Sequence, residues 1–329
     1  MYGKPWMYAP LMLHSWLFCF TAKAKDFLFE KEKKKMKKIF ALMMALVMVM
    51  SFAGCVSTGN NDTTGSGAVT FTGVEDGVLT VGMECAYAPY NWTQMDDSNG
   101  AVAISNVPGA YANGYDVMIA KKICEANGWK LEIVSSAWDS LCPAVQSKTM
   151  DANIAGQSMT ADRMAEVDMA GPYYYATIVC VTTKDSKFAN ATSIADLAGG
   201  KCTSQSGTIW YDSCLSQIEG AELLAPAETA PNMIMQLETG TVDFICTDLP
   251  TAMGAVAKNE NLTILNFSGT DGDFQFASEA ERAENVNIGI SVLKGNETLK
   301  NAIDGVLSKM TEADFNNLMD QAIAVQPAE

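Results

Sequence analysis

From Gly77 onward, short apolar runs alternate with stretches whose apolar residues recur at helical spacing. The runs Val78–Met83, Leu131–Val134, Ala152–Ala155, Thr177–Thr182, Lys201–Ser204, Leu223–Ala225, Val242–Thr247, Leu262–Phe267 and Asn287–Leu293 read as strands. Tyr115–Ala126, Trp138–Lys148, Thr208–Ile218, Pro231–Thr239, Thr251–Lys258, Glu297–Met310 and Glu312–Ala324 read as helices. Strands alternating with helices at this spacing predict an α/β fold with largely parallel sheets. One internal echo refines the picture. Residues 144–155, with Asp151 opening a buried strand, are matched by residues 235–247, with Asp243 in the same role. A separation of 92 positions exceeds any solenoid period. It predicts two lobes of similar design. In α/β sheets ligands sit off the carboxyl ends of strands, so two such lobes facing each other would make a cleft.

The pattern before Gly77 is different. Six Lys lie between Lys31 and Lys38, and the fourteen residues Ile39–Phe52 carry no charge. Ala53 and Gly54 then precede Cys55. A basic segment, a short apolar segment and small residues before a cut describe a secretory signal peptide, and the apolar segment is too short for a comfortable span of about 20 residues. The competing reading is an anchor retained uncut. Residues 1–35 do not fit a signal peptide, and Met36-Lys37-Lys38 looks like a natural start. Val56 to Gly67, rich in Ser, Thr, Gly, Asn and Asp, reads as a flexible tether. The expected organisation is a leader over 1–54, an anchored tether over 55–76, one lobe from 77–176 plus 286–329, and a second from 177–285.

Charge narrows the function. Nine Lys and three acids precede Cys55, which leaves 13 bases and 35 acids beyond it, net −22. Such a surface repels phosphate backbones, so nucleic acid is excluded as a main partner. The single His is His14, inside the leader. Without it the mature chain has no Ser-His-Asp or Cys-His catalysis and lacks the commonest metal ligand. None of the nine Cys forms a CxxC pair, which removes zinc-ribbon and thioredoxin-like readings. The seven beyond Cys55 sit mostly in apolar runs and read as small buried hydrophobes. Neither a metal nor a cofactor is expected.

Three loops past predicted strand ends hold useful polar groups. In Gly156–Arg163, Thr160 is a candidate helix cap and Arg163 can reach back toward the strand end, as a carboxylate clamp or as one half of a surface ion pair. Gln205-Ser206-Gly207-Thr208 lies between a strand and a helix, where backbone amides can meet an anion, although many helices begin this way. Asp248, just past the second echo strand, could hold an ammonium group or cap the next helix. Tyr87 and Trp138 lie past strand ends, where rings can stack on a ligand. Core packing is the preferred reading for Tyr90 and Trp92.

Together these pieces resemble the family 3 extracellular solute-binding proteins, the amino-acid receptors of ABC importers. The resemblance runs from about Gly77 to Val325. It rests on residues 79–90 (LTVGMECAYAPY), 114–117 (GYDV), 138–145 (WDSLCPAV), Asp151 with 158–163 (SMTADR), 167–173 (VDMAGPY), 206–208 (SGT) and Val242-Asp243 with Asp248. It implies a type II periplasmic-binding-protein fold, two Rossmann-like lobes joined by crossovers near Ala176–Thr177 and Val286–Ile288. By resemblance Arg163, with amides at Gly207 and Thr208, would hold an α-carboxylate. Asp248, Ser158 and the Gly156 carbonyl would hold an α-ammonium, Tyr87 and Trp138 would flank the side chain, and Glu84 would face the pocket mouth. Phe-Ala-Gly-Cys is similar to the bacterial lipobox, with Phe52 in place of the usual Leu, which makes Cys55 the lipidated first residue. Ile209 replaces a second hydroxyl that many members carry, which puts one carboxylate bond in question. Residues Asp96–Asn113 form a longer insert than usual, at a place where it could remodel the pocket rim.

The resulting expectation is a monomeric lipoprotein outside the cytoplasm, held to the membrane by lipid only. It would capture an L-amino acid, basic or long and polar, by hinge closure and deliver it to the transmembrane subunits of an ABC permease. The alternative is an enzyme on the same fold, such as a cyclohexadienyl-type dehydratase, with Glu84 or Asp248 as the acid.

Overall fold

In this computed structural model Val74 and residues 76–327 are described. The leader, Cys55 and nearly all of the expected tether lie outside the described residues. None of the helices among the described residues is long and apolar enough to cross a membrane.

Two five-stranded sheets carry the fold. The first runs in the order Lys130–Ser135, Val78–Met83, Ala152–Asn153, Ile288–Val292, Asp168–Tyr174. The second runs Glu222–Leu223, Lys201–Thr203, Phe244–Asp248, Ile178–Thr183, Leu262–Leu265. Each has a parallel portion, as in Val78–Met83 against both neighbours. Each is then mixed, because Ile288–Val292 in one sheet and Ile178–Thr183 in the other pair antiparallel. These two strands are where the chain passes from one sheet to the other, and they enter from the opposite lobe. That corrects the expectation of largely parallel sheets.

The echo has a structural counterpart. Asp151 exchanges bonds with Thr80, its Oδ2 accepting the Thr80 amide at 2.8 Å and its own amide reaching the Thr80 carbonyl at 2.9 Å. Asp243 does the same with Lys201, at 2.8 Å in both directions. In each lobe the carboxylate ties a short central strand to its parallel neighbour.

Most predicted helices form, and their boundaries have local causes. Tyr115–Asn127 ends on Gly128, whose φ of 71° is the left-handed cap conformation. Ala230–Glu238 starts on Thr229, which caps the Asn232 amide. Glu312–Val325 starts on a reciprocal Thr311–Asp314 capping box. Two expectations fail. Trp138–Lys148 divides into a 3-10 turn, Trp138–Ser140, and a short helix, Leu141–Gln146. Thr208–Ile218 is no α-helix: a wide π turn, Trp210–Cys214, is followed by a 3-10 turn, Leu215–Gln217. Trp210, Cys214 and Leu215 are all buried in the core of the second lobe, and the altered winding brings them to one side.

The insert does not form a pocket rim. Val102–Ala103 and Tyr111–Asn113 join Asn91–Gln94 and Ala86–Tyr87 in a four-stranded antiparallel sheet. Asn106 fastens its loop to Ser135 through two bonds of 2.8 and 2.9 Å. The seven described Cys are free, six of them buried, and Cys180, Cys202, Cys214 and Cys246 lie in the second lobe's core.

Candidate functional site

Six of the nine predicted ligand-binding residues line one cavity between the two lobes, whereas Glu84, Gly207 and Asp248 stand outside its lining. Tyr87, Trp138, Gly156, Ser158 and Arg163 come from the first lobe, and Gln205, Thr208, Ile209 and Trp210 from the second, around a cavity of about 10 Å3. That is room for one water at most. The insert contributes none of the lining. A groove of about 930 Å3 lies elsewhere, between the Ala86–Gln94 hairpin and the helices Ala230–Glu238 and Leu249–Lys258, and contains none of the predicted residues.

Arg163 sits in the first turn of the helix Ala161–Glu166, whose cap Thr160 accepts the Arg163 amide at 3.2 Å. Its guanidinium donates to the Ser158 carbonyl and, at 3.5 Å, to the Gly207 carbonyl of the other lobe. It lies 5.6 Å from the centroid of the Trp138 ring. No ion pair among the described residues uses it. Its surface ion-pair reading therefore lacks a partner there, while burial lowers its pKa, the sign of a desolvated cation. Ser158 is buried and bridges Ile288, and the adjacent Met159 and Gln157 bond Asn287 and Gly289. The guanidinium thus stands on the second crossover.

Asp248 fulfils the capping reading. Its Oδ1 accepts the Thr251 amide and its Oδ2 the Thr251 hydroxyl, both at 2.9 Å, at the head of Leu249–Lys258. The same Oδ2 accepts the Tyr87 hydroxyl across the cleft at 2.5 Å. Asp248 is fully buried, and burial raises its pKa. Tyr87 is correspondingly inward: it stacks on Tyr90 at 5.0 Å and is 5% exposed. Tyr90 and Trp92 are core residues, as expected. Gly156 has φ of 63°, and a Cβ there would lie 2.7 Å from Cε1 of Tyr87, so this position needs glycine twice over.

Glu84 is half-buried beside the cleft. Its pKa is pushed up to about 7, first by burial and then by the neighbouring Asp139 charge, while Gln205 Nε2 at 3.5 Å opposes the rise. Thr208 turns its hydroxyl to the Gln205 carbonyl at 2.7 Å. Gly207 faces Trp138: a Cβ would lie 3.3 Å from its Nε1. Asp139 and Trp210 also belong to the site, although sequence reasoning does not single them out, and Gln205 joins them from the loop named in the sequence without a role of its own. Asp139 stands next to Trp138 in the chain, but no periodicity distinguishes it. Among the described residues no group of acidic, Cys or His side chains has the arrangement to hold a metal.

The sequence profile of the bacterial extracellular solute-binding proteins, family 3, matches residues 79–323. The chain belongs to this family. It is similar to the L-cystine-binding protein TcyA of Bacillus subtilis, 25% identical over 84% of this chain and 93% of that one. A probable histidine-binding protein of Neisseria gonorrhoeae is 26% identical over 72% of this chain and 79% of its own. Among solved structures, an amino-acid ABC transporter substrate-binding protein of Streptococcus pneumoniae, bound to L-arginine, aligns with a TM-score of 0.63. It is 23% identical, over 77% of this chain and 96% of that one. The fold is the type II periplasmic-binding-protein fold, and the relatives are substrate-binding transport proteins of an extracellular family rather than enzymes.

Proposed function

We propose that this family member captures a free L-amino acid in the cleft and hands it to an ABC permease. The observation that carries the reading is Arg163: a half-buried guanidinium, without a carboxylate partner among the described residues, reaching from one lobe to a carbonyl of the other. A ligand carboxylate supplies the missing anion, with the amides at Gly207 and Thr208 beside it. Asp248, with the Gly156 carbonyl and Ser158, takes the α-ammonium. Because the closed cleft holds about one water, binding begins with the lobes parted, and closure about the two crossovers completes the site. Relatives that bind cystine, histidine or arginine support an amino-acid ligand.

The side chain would run between Trp138 and Tyr87 toward Glu84, Asp139 and Gln205. Two carboxylates at that end favour a basic or long polar side chain. In a thermal-shift screen of the twenty amino acids and L-cystine, Lys, Arg or Gln should move the melting temperature more than Glu, Asp or Gly. A ligand at 100 times its Kd adds about 2.7 kcal/mol. A largest shift from Glu or Asp overturns the side-chain assignment, and no shift from any overturns the amino-acid reading.

Anchoring rests on the leader pattern ending at Cys55. Cells fed a palmitate analogue should label the wild-type chain and leave Cys55→Ser unlabelled; equal labelling removes the lipid anchor.

A further inference from the structure

We infer that Asn91, Asp116 and Tyr173 form a directional hydrogen-bond relay that holds the two first-lobe loops of the cleft in register, with Asp116 as the positioning residue at its centre. This rests on the amino-acid-binding reading for its consequence, though not for its geometry. The Cys85 amide donates to Asn91 Oδ1 at 2.7 Å, and Asn91 Nδ2 donates to Asp116 Oδ2 at 2.7 Å. From the other side the Gly156 amide donates to the Tyr173 hydroxyl at 2.9 Å, and that hydroxyl donates to Asp116 Oδ1 at 2.7 Å. Asn91, Asp116 and Tyr173 have no exposed surface.

The two ends of this relay are where the backbone needs holding. Cys85 has φ of 56° and Gly156 φ of 63°, both in the left-handed region. For a cysteine such a conformation persists only where its surroundings fix it. Cys85 follows Glu84 directly, and Asn91 is the cross-strand partner of Tyr87. Gly156 lies against the Tyr87 ring. One end therefore sets Glu84 and Tyr87, and the other sets the loop that leads to Ser158 and Arg163.

Direction comes from chemistry. An ionised carboxylate only accepts, so both neighbours must donate to Asp116. Asn91 then has its oxygen turned to the Cys85 amide, and Tyr173 has a lone pair turned to the Gly156 amide. Asp116→Asn sets two NH2 groups against each other, or turns Asn91 around so that the Cys85 donor faces a donor, or turns its own NH2 to the Tyr173 hydroxyl, whose proton then loses its acceptor beside Gly156. Asn91→Asp sets two carboxylates face to face. In the exchange, Asn91→Asp with Asp116→Asn, every donor again meets an acceptor. The Cys85 amide and the new side-chain amide at position 116 both donate to the new carboxylate at position 91. The Tyr173 hydroxyl donates to the amide oxygen at position 116. One charge remains, moved by one link.

The test uses the processed, full folded chain in four forms: wild type, each single variant and the exchange. Backbone amide spectra of the ligand-free proteins should show the Cys85 and Gly156 resonances displaced together in either single variant. Both should return toward wild-type positions in the exchange. Calorimetry with L-arginine and L-cystine should show each single variant binding about 10-fold more weakly. The exchange should lie within about 3-fold of wild type. Single variants that move only the amide on their own side, or an exchange that recovers neither spectrum nor affinity, overturn the relay. If a single variant does not fold, the exchange decides alone: folding with both resonances restored supports the relay, and failure to fold refutes it. If the wild type binds neither probe nor any of the twenty amino acids, the amino-acid reading falls, while the spectra still judge the relay.

Discussion

The two lobes are built alike up to Asp151 and Asp243 and diverge in the loops beyond them. Both carboxylates lock a short central strand to its neighbour through the same pair of bonds. Beyond Asp151 the chain runs into a loop that leads to Arg163, whose charge meets carbonyls and a ring. Beyond Asp243 it runs into Asp248, whose carboxylate is already held by Thr251 and Tyr87. The cation has no anionic partner among the described residues, whereas the anion does structural duty. A common lobe design thus presents opposite charges across one cleft, an arrangement suited to a zwitterion.

The largest effect that could break this comparison is on Arg163. Truncating one partner of a buried charged pair costs about 2–5 kcal/mol of binding. Arg163→Ala should weaken L-arginine affinity by roughly 30-fold or more. Its unfolding temperature should fall less than that of Asp248→Ala, because relief of a desolvated cation offsets the lost bonds to the Ser158 and Gly207 carbonyls. Asp248→Ala should lose affinity and stability together, since it strips a helix cap, about 1 kcal/mol. It also orphans buried donors on Thr251 and Tyr87, about 1–3 kcal/mol. Calorimetry and thermal melts of both variants give the four numbers. Equal destabilisation by the two substitutions would show that Arg163 too is structural.

A middle-sized effect sharpens the same contrast through pH. Glu84 keeps its proton in the folded protein up to about 7, against 4.5 in the unfolded chain, because it is buried near Asp139. Unfolding therefore releases a proton between those values. The stability this group contributes is complete below about 4.5 and is lost as pH rises through 7, roughly 1–3 kcal/mol for a half-buried carboxyl. Asp116, raised to about 6 by burial, adds a loss of the same sign between its ordinary range and 6. Glu84→Gln should remove the first part, so the melting temperature of the wild type relative to Glu84→Gln should fall from pH 5 to pH 8. A cationic ligand reverses the sign, because it favours the ionised carboxylate. L-Arginine affinity should climb over that interval in the wild type and stay level in Glu84→Gln. A level wild-type profile would remove Glu84 from the side-chain end.

How much of this is legible in the sequence depends on periodicity. The buried central strands, with unbroken apolar runs, and the capped amphipathic helices can be read directly. The strand Asp168–Tyr174 escapes such a reading because Gly171-Pro172 interrupts its pattern. Proline is tolerated there because the strand lies at the sheet edge. The helix Glu279–Val286 escapes it too, because it buries only Val286 and shows no apolar stripe. At the site, Arg163 and Asp248 stand out as charges just past echo strands. Asn91, Asp116 and Tyr173 do not: polar groups inside apolar elements carry no periodic signal until their partners are seen. Gln205 and Asp139 approach Glu84 only through tertiary packing.

The smallest effect separates the ring stack from its hydroxyls. Tyr87 and Tyr90 stack at 5.0 Å, and both are buried. The Tyr87 hydroxyl reaches Asp248, whereas the Tyr90 hydroxyl has no hydrogen-bond partner among the described residues. An unsatisfied buried hydroxyl costs free energy that its removal returns, offset by the packing contacts of one oxygen atom. Tyr90→Phe should therefore be neutral or more stable by up to about 1 kcal/mol, with L-arginine affinity unchanged. Tyr87→Phe removes a bond between the lobes and should destabilise the closed form by about 1–2 kcal/mol, seen as a larger radius of gyration in ligand-free scattering. If Tyr90→Phe proves the more damaging of the two, an ordered water holds its hydroxyl, and the stack is fastened through Tyr90 rather than through Tyr87 and Asp248.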